Sequence, residues 1–209
     1  MTRRPSAMVA ACLSVCVVLT ACADDGKTLR EPATGATAPP PPTPSTVSGR
    51  QTVGPAGSAD NATLQLASTA IAPLEPIPAV YTCDGNNVSP PLMWNPVPAG
   101  TVELALTVID TDANGFVHWV VAGIDPSVQA IGEGAVPDGA VQAKNDANTG
   151  GWTGPCPPKG SPHHYVFTLY ALNTASGLTN GVPGRAAVAT IMQLPGINAV
   201  LTGTYQRAG

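Results

Sequence analysis

Three stretches of the chain are apolar at nearly every position, so both faces of a strand built from them would be apolar. They cover residues 102–109, 119–124 and 165–172. Two-sided runs of this kind, rich in β-branched and aromatic residues, are typical of strands inside a fold rather than at its edge. The pattern therefore predicts three interior strands.

Shorter apolar runs predict further strands around these three. Residues 63–69 alternate between apolar and polar side chains, residues 92–94 form a short run, and residues 200–205 form the last one. Residues 77–81 are also apolar but contain Pro78, which cannot donate a hydrogen bond to a neighbouring strand. We therefore expect an edge segment at 77–81.

A helical pattern occurs at residues 186–194, where Pro195 and Gly196 follow as stop signals. Loops rich in glycine or asparagine separate the strands at 132–139 and 145–151. Many strands, frequent turns and little helix predict an all-β-dominated fold. We expect an antiparallel, Greek-key-like β-sandwich with one or two short helices.

The first 21 residues have the pattern of a bacterial export signal. Arg3 and Arg4 precede an apolar run at 8–20, and the Leu-Thr-Ala-Cys sequence at 19–22 resembles a lipobox. We expect cleavage before Cys22 and lipidation of its thiol. The acyl chains would anchor the mature protein to a bacterial cell membrane on its extracytoplasmic side, in the periplasm or cell envelope. The alternative is an ordinary cleaved signal followed by an incidental cysteine.

Residues 22–61 are rich in Ala, Thr, Ser, Gly and Pro. Because such a segment buries too little apolar surface to offset its ordering entropy, we expect a disordered tether. The folded domain should then be residues 62–209, with nine Asp and Glu against four Lys and Arg. This acidic balance argues against a nucleic acid partner, and it requires local groups to hold any bound anion.

The five cysteines divide between the two regions. Cys12 and Cys16 would leave with the signal, and Cys22 would carry lipid. Cys83 and Cys156 remain, and two thiols in an oxidising compartment are expected to form a disulfide. The alternative is two buried, unpaired thiols.

Polar residues between the interior strands carry the candidate chemistry. Asp110 and Asp112 close the first apolar run, His118 opens the next, and Gly115 lies at the chain reversal between them. Residues two apart on a strand share a face, so we expect both carboxylates near the imidazole at the mouth of the β-core. The simpler interpretations are turn-capping aspartates and a core or rim histidine.

His163 and His164 start the last interior strand and should point to opposite faces. The spacing of His and Cys does not match a structural zinc site. The sequence also contains no P-loop, dinucleotide fingerprint or nucleophile elbow. We therefore expect a protein that is not an enzyme and that needs neither a metal nor a cofactor.

Six short motifs follow one another along the domain, at residues 89–94, 107–112, 118–121, 144–146, 154–158 and 163–167. They read Ser-Pro-Pro-Leu-Met-Trp, Thr-Val-Ile-Asp-Thr-Asp, His-Trp-Val-Val, Lys-Asn-Asp, Gly-Pro-Cys-Pro-Pro and His-His-Tyr-Val-Phe. The series resembles the phosphatidylethanolamine-binding protein family, which includes Raf kinase inhibitor protein, and it is closest to the bacterial branch. The resemblance covers about residues 81–205 and implies a β-sandwich with a small anion-accepting cavity.

The resemblance also implies which residues bind the ligand. Cys83 and Cys156 flank family motifs, which is consistent with a bridge close to the pocket. The turn at 154–158 would form the pocket rim. The implied ligand-binding residues are Asp110, Asp112, His118, Pro155, Pro157, His163 and Tyr165.

Three positions depart from the family pattern. Thr111 replaces the proline usual between the two aspartates, and His164 replaces the arginine usual after the second histidine. Lys144 occupies a position that is often arginine. The second and third changes remove guanidinium groups, which puts the affinity for a phosphate headgroup in doubt.

The function implied by the resemblance is a lipid-anchored cell-envelope protein that binds a small anion or a phospholipid headgroup. If Asp110 raises the pKa of His118 and His163, anion binding should tighten below about pH 6.5. One alternative is an interaction protein that inhibits a kinase or protease through a loop such as 132–151. Another is a metal-dependent hydrolase with Asp110, Asp112, His118 and His163 as metal ligands.

Overall fold

The computed structural model describes residues 63–208, which form three layers. A three-stranded antiparallel sheet faces a five-stranded antiparallel sheet, and one α-helix covers the other side of the larger sheet. This arrangement confirms the predicted fold class. Among these residues, no helix has both the length and the apolar character needed to cross a bilayer. The expected signal at 1–21, the lipidated Cys22 and the tether at 22–61 lie outside the described residues.

The described residues contain eight strands, an α-helix α1 (Gly184–Gln193) and a short 3-10 helix (Ala79–Tyr81). The strands are β1 (Leu66–Ala67), β2 (Leu92–Trp94), β3 (Glu103–Asp110), β4 (Phe116–Ile124), β5 (Ala130–Ile131), β6 (Val141–Gln142), β7 (His163–Leu172) and β8 (Gly196–Tyr205).

Strand β3 lies at the centre of the larger sheet. The order in that sheet is β6-β4-β3-β7-β8, and the order in the smaller sheet is β1-β2-β5. Every residue of β3 pairs with β7, and the last pair places Asp110 beside Tyr165. Each of β3, β4 and β7 is covered on both faces, which explains why their sequences are apolar on both sides.

Two apolar cores account for these two faces. The first lies between the sheets and includes Trp94, Trp119 and Phe167. The second lies between the larger sheet and α1 and includes Val120 and Ile191. The helix stays in place because Ala187 and Ile191, one turn apart, both face the sheet and are fully buried.

A β-bulge in β4 sets the direction of His118. In the β3–β4 register, Val108 pairs with Trp119 and Ile109 pairs with Val117, so His118 is the extra residue. Val117 packs in the core on the helix side, whereas Trp119 packs in the core between the sheets. Strand alternation alone would put these two on one face, so the bulge changes the face at His118.

Several predicted boundaries were wrong. The run at 63–69 forms only the two-residue strand β1, and 77–81 contains a 3-10 helix rather than an edge strand. β4 begins at Phe116 and β8 at Gly196, both earlier than predicted, and α1 also begins earlier, at Gly184, whereas β7 begins at His163 as predicted. Strands β5 and β6 were missed, because two residues carry no periodic pattern.

The predicted disulfide between Cys83 and Cys156 is present, with 5.4 Å between the two Cα atoms. The Cys83 N–H also donates to the Pro155 carbonyl, at 3.1 Å. The bridge therefore ties the segment after the 3-10 helix to the turn at 154–158.

Candidate functional site

Asp110 is the buried end of the central strand. Its side chain is 4 % exposed. Its Oδ1 accepts hydrogen bonds from the backbone N–H groups of Asp112 (2.9 Å) and Ala113 (3.1 Å). The aspartate therefore caps the turn after β3, as the simpler interpretation proposed. Its other oxygen, Oδ2, faces His163.

His163 is held by this second oxygen, with 2.8 Å between its Nδ1 and Asp110 Oδ2. A carboxylate oxygen accepts, so the Nδ1–H of the imidazole donates. Its Nε2 bonds to none of the described residues. When the ring is neutral, Nε2 offers a lone pair, and when the ring is protonated, Nε2 offers an N–H.

His118 is oriented in the same way by a backbone oxygen. Its Nδ1 lies 2.6 Å from the Thr153 carbonyl, which can only accept, so Nδ1 again carries the hydrogen. Burial lowers the pKa of His118, and this effect outweighs the opposing effects of the Thr153 carbonyl and Asp110. The expectation of a raised pKa was therefore wrong for His118.

These three side chains meet at one cavity of about 130 Å³. Asp110, His118 and His163 line it, and Phe116 adds an aromatic wall. The opposite rim comes from the segment after Trp152, namely Thr153, Gly154, Cys156, Pro157 and Pro158. Cys156 lies in this rim, so the disulfide holds one edge of the cavity in place.

Three of the residues implied by the family resemblance, namely Asp112, Pro155 and Tyr165, do not line this cavity. Asp112 does not line the cavity, because the strand ends at Asp110 and the following turn redirects the chain. Its carboxylate pairs with the exposed His164, at 2.9 Å, and the hydrogen bonds from His164 lower the pKa of Asp112. Pro155 does not line the cavity either, whereas its neighbours Pro157 and Pro158 do.

Tyr165 lies behind the cavity wall. It is fully buried, and its ring touches that of His118 edge-on, with 5.2 Å between the centroids. Its hydroxyl has no hydrogen-bond partner among the described residues. Burial raises its pKa, and the nearby Asp110 carboxylate adds to this effect. Tyr165 therefore acts as a support for His118 rather than as a lining residue.

The three departures from the family pattern also lie outside the cavity. His164 is on the surface with Asp112, and the exposed Thr111 donates its backbone N–H to the His164 carbonyl at 3.0 Å. Lys144 is exposed and does not line the cavity. Among the described residues, the lining contains no lysine or arginine, so protonated imidazole is the cationic group available there.

Sequence reasoning missed the residues that shape the wall. Asn145 is buried, and its amide donates to the Gly151 carbonyl (3.0 Å) and to Thr153 Oγ1 (2.7 Å). It thereby fixes the segment whose carbonyl orients His118. Its place in the Lys-Asn-Asp motif was the available signal.

Gly154 is required by close backbone contact. A Cβ atom there would lie 2.4 Å from the Tyr81 carbonyl oxygen and 2.6 Å from Asn87 Oδ1. The Gly154 N–H donates to that same Asn87 oxygen, at 2.7 Å. The glycine lets this wall approach the loop before β2, and its place in the Gly-Pro-Cys-Pro-Pro motif was the only sequence signal.

The metal-ligand set considered from sequence is not assembled. Within residues 63–208, no three His, Cys, Asp or Glu side chains converge in a way that could hold a metal ion. Asp112 is turned toward His164, and both cavity imidazoles use Nδ1 to bond to protein oxygens.

Fold and site together define an antiparallel β-sandwich with a cavity that combines a buried carboxylate and two imidazoles. The chain belongs to the phosphatidylethanolamine-binding protein family, because the sequence profile of that family matches residues 67–206. The resemblance inferred from the six motifs is thereby confirmed.

Relatives and solved structures agree with this assignment. A protein from Mycobacterium tuberculosis named "Putative lipoprotein LppC" is 44% identical over 146 residues, which are 68% of this chain and 72% of that protein. The crystal structure of YbcL from Escherichia coli superposes with a TM-score of 0.66 and 34% identity, covering 70% of this chain and 99% of YbcL. The crystal structure of CT736 from Chlamydia trachomatis superposes with a TM-score of 0.63 and 34% identity, covering 69% of this chain and 98% of CT736.

Proposed function

We propose that this protein is a lipid-anchored, extracytoplasmic binding protein, not an enzyme, whose cavity takes a small anion or the phosphate of a phospholipid headgroup. The observation that carries the proposal is the meeting of Asp110, His118 and His163 at one cavity of about 130 Å³. Such a volume suits a small polar group rather than a whole lipid.

The direction of the two imidazoles supports binding that is coupled to proton uptake. Each ring uses its Nδ1–H for a protein oxygen, so an anion must be bound through Nε2. A neutral Nε2 accepts and would repel an anion, whereas a protonated Nε2 donates. Because burial lowers the pKa of His118, that ring is neutral at pH 7 and must take up a proton to donate.

The membrane location is supported by the sequence of the first 22 residues and by the name of the mycobacterial relative. Lipid on Cys22 would keep the cavity near a surface rich in phospholipid headgroups. Replacement of Cys22 by serine should abolish acylation, which mass spectrometry of the purified protein would detect. A wild-type mature chain whose mass is that of the lipid-free polypeptide would refute the anchor.

Ligand binding is tested by calorimetric titration of the full chain in a polyoxyethylene detergent. Glycerophosphoethanolamine and acetate are the probes, and ethanolamine, which lacks the anion, is the ligand control. We expect both anions to bind more tightly at pH 5.5 than at pH 7.5, and ethanolamine not to follow this trend.

Two variants form a matched pair. His163→Gln should weaken anion binding about tenfold or more, because it removes a charge-assisted hydrogen bond. His164→Gln changes the same residue type outside the cavity and should leave binding unchanged. The proposed site would be overturned if neither glycerophosphoethanolamine nor acetate bound at pH 5.5 or at pH 7.5. It would also be overturned if the two variants weakened binding equally.

A further inference from the structure

A second cavity, of about 260 Å³, shares no lining residue with the first. Gly151 and Trp152 line the second cavity, while the next two residues, Thr153 and Gly154, line the first. Its volume is far above the roughly 10–15 Å³ that one water molecule needs. The cavity can therefore hold a small organic ligand, and its lining determines which kind.

Two amide groups face this cavity with free donors. Gln142 Oε1 accepts the indole N–H of Trp119 at 2.8 Å, which fixes the oxygen and leaves the NH₂ group without a partner among the described residues. Asn87 Oδ1 accepts the Gly154 N–H in the same way, so its NH₂ group is also unused. Both side chains line the cavity.

Ser89 adds a hydroxyl. The residue is 4% exposed and lines the cavity, and its hydroxyl bonds to no described residue. Within residues 63–208, only Thr107 Oγ1 and Tyr165 Oη are sealed off without a partner. The Ser89 oxygen is therefore not sealed off, and its hydroxyl is available to donate to a ligand in the cavity that Ser89 lines.

The aromatic lining is apolar toward the ligand. Trp119 and Trp152 meet at 85°, with 5.8 Å between ring centroids. The indole N–H of Trp119 is used by Gln142, and that of Trp152 donates to the Tyr81 carbonyl at 3.2 Å. Trp119 is 1% exposed and lies in the core behind the cavity, so the half-buried Trp152 is the tryptophan ring that offers hydrocarbon surface to a ligand, with no further donor.

The charge of the site excludes ions as the preferred ligand. None of the ten lining side chains is ionisable, and the domain as a whole carries four cations against nine anions, a difference of −5. An anion would find no cation there, and a cation would find no carboxylate. The lining instead suits a neutral ligand that has several acceptor oxygens and an apolar ring face.

We propose that this second cavity binds a neutral sugar ring. Its hydroxyl oxygens accept from Gln142, Asn87 and Ser89, and its C–H face packs against Trp152. Val136, in the loop after β5, lines the cavity and is also exposed, so this loop would contact the next unit of a longer glycan. This site is independent of the anion cavity.

The test measures saturation-transfer NMR of three probes with the full chain: the methyl glycosides of glucose, mannose and galactose. The detergent is again a polyoxyethylene ether, whose headgroup is neither a sugar nor a phosphate. We expect saturable binding of at least one probe in the millimolar range. Gln142→Glu keeps the oxygen that Trp119 needs but replaces the donor, so it should weaken binding at least fivefold.

Three further variants locate the effect. Gln129→Glu adds the same charge at an exposed position and should leave sugar binding unchanged. Ser89→Ala removes a donor without adding charge and should weaken binding, which keeps the test valid if Gln142→Glu unfolds. His163→Gln should have no effect. The proposal is overturned if none of the probes saturates, if Gln129→Glu weakens binding as much as Gln142→Glu, or if His163→Gln abolishes binding.

Discussion

Replacement of Asp110 by asparagine isolates the role of the buried carboxylate. Oδ1 of Asp110 accepts two backbone N–H groups, so the asparagine oxygen should stay there and its NH₂ group should face His163. An NH₂ group donates, so Nδ1 of His163 must then accept, and the ring hydrogen moves to Nε2. The neutral ring would present a donor to the cavity.

The magnitude follows from proton linkage. If the wild-type site binds an anion by protonating both imidazoles, the affinity falls by up to two powers of ten per pH unit above their pKa values. In the variant, His163 already donates when neutral, so the slope of the logarithm of affinity against pH should be smaller by about one. Over two pH units this is a difference of about 2.7 kcal/mol, or roughly 100-fold, in favour of the variant at alkaline pH.

The assay is a calorimetric titration with glycerophosphoethanolamine at pH 5.5, 6.5, 7.5 and 8.5, because the charge of a phosphodiester is constant over this range. Asp112→Asn removes the same charge outside the cavity and is the control. An Asp110→Asn slope equal to the wild-type slope would refute the reasoning, as would the same change in the Asp112→Asn protein.

Three further results are expected from unfolding experiments. Replacement of both Cys83 and Cys156 by serine should lower the free energy of urea unfolding by up to about 4 kcal/mol, since the bridge closes a loop of 73 residues. Gly154→Ala places a Cβ 2.4 Å from a backbone oxygen, so it should lower the free energy of unfolding by about 1–3 kcal/mol and weaken anion binding. The control Gly150→Ala has open space around it and should lower the free energy of unfolding by less than about 1 kcal/mol. The lowered pKa of His118 means that the unfolded chain binds more protons, so stability should fall as the pH drops below about 6.5, and His118→Gln should remove that part of the pH dependence.

The sequence was sufficient for the strands that are covered on both sides. β3, β4 and β7 are long and apolar at nearly every position, and an interior strand is the interpretation that fits this pattern best in a short domain. The two-residue strands β5 and β6 could not be predicted, because they exist only through pairing with partners far along the chain. The family motifs located the cavity residues more sharply than periodicity did.

The directions of the site residues depended on features that a single sequence does not encode locally. The bulge at His118 results from the β3–β4 register, and register is a property of two strands. The two-residue spacing of Asp110 and Asp112 suggested a shared face, but the strand ends between them. The lowered pKa of His118 depends on burial, which requires the three-dimensional packing.

The position of Asp110 at the end of the central strand of the larger sheet has a consequence for specificity. β3 is hydrogen-bonded to β4 on one side and to β7 on the other, so the carboxylate is preorganised and cannot shift to follow a new ligand. The opposite rim is a loop segment held by the hydrogen bonds of Asn145, the close contact at Gly154, the disulfide and backbone hydrogen bonds to Cys83 and His118. Redesign of ligand preference should therefore begin with the proline turn and leave the sheet untouched, because only the loop can change shape without disturbing the core.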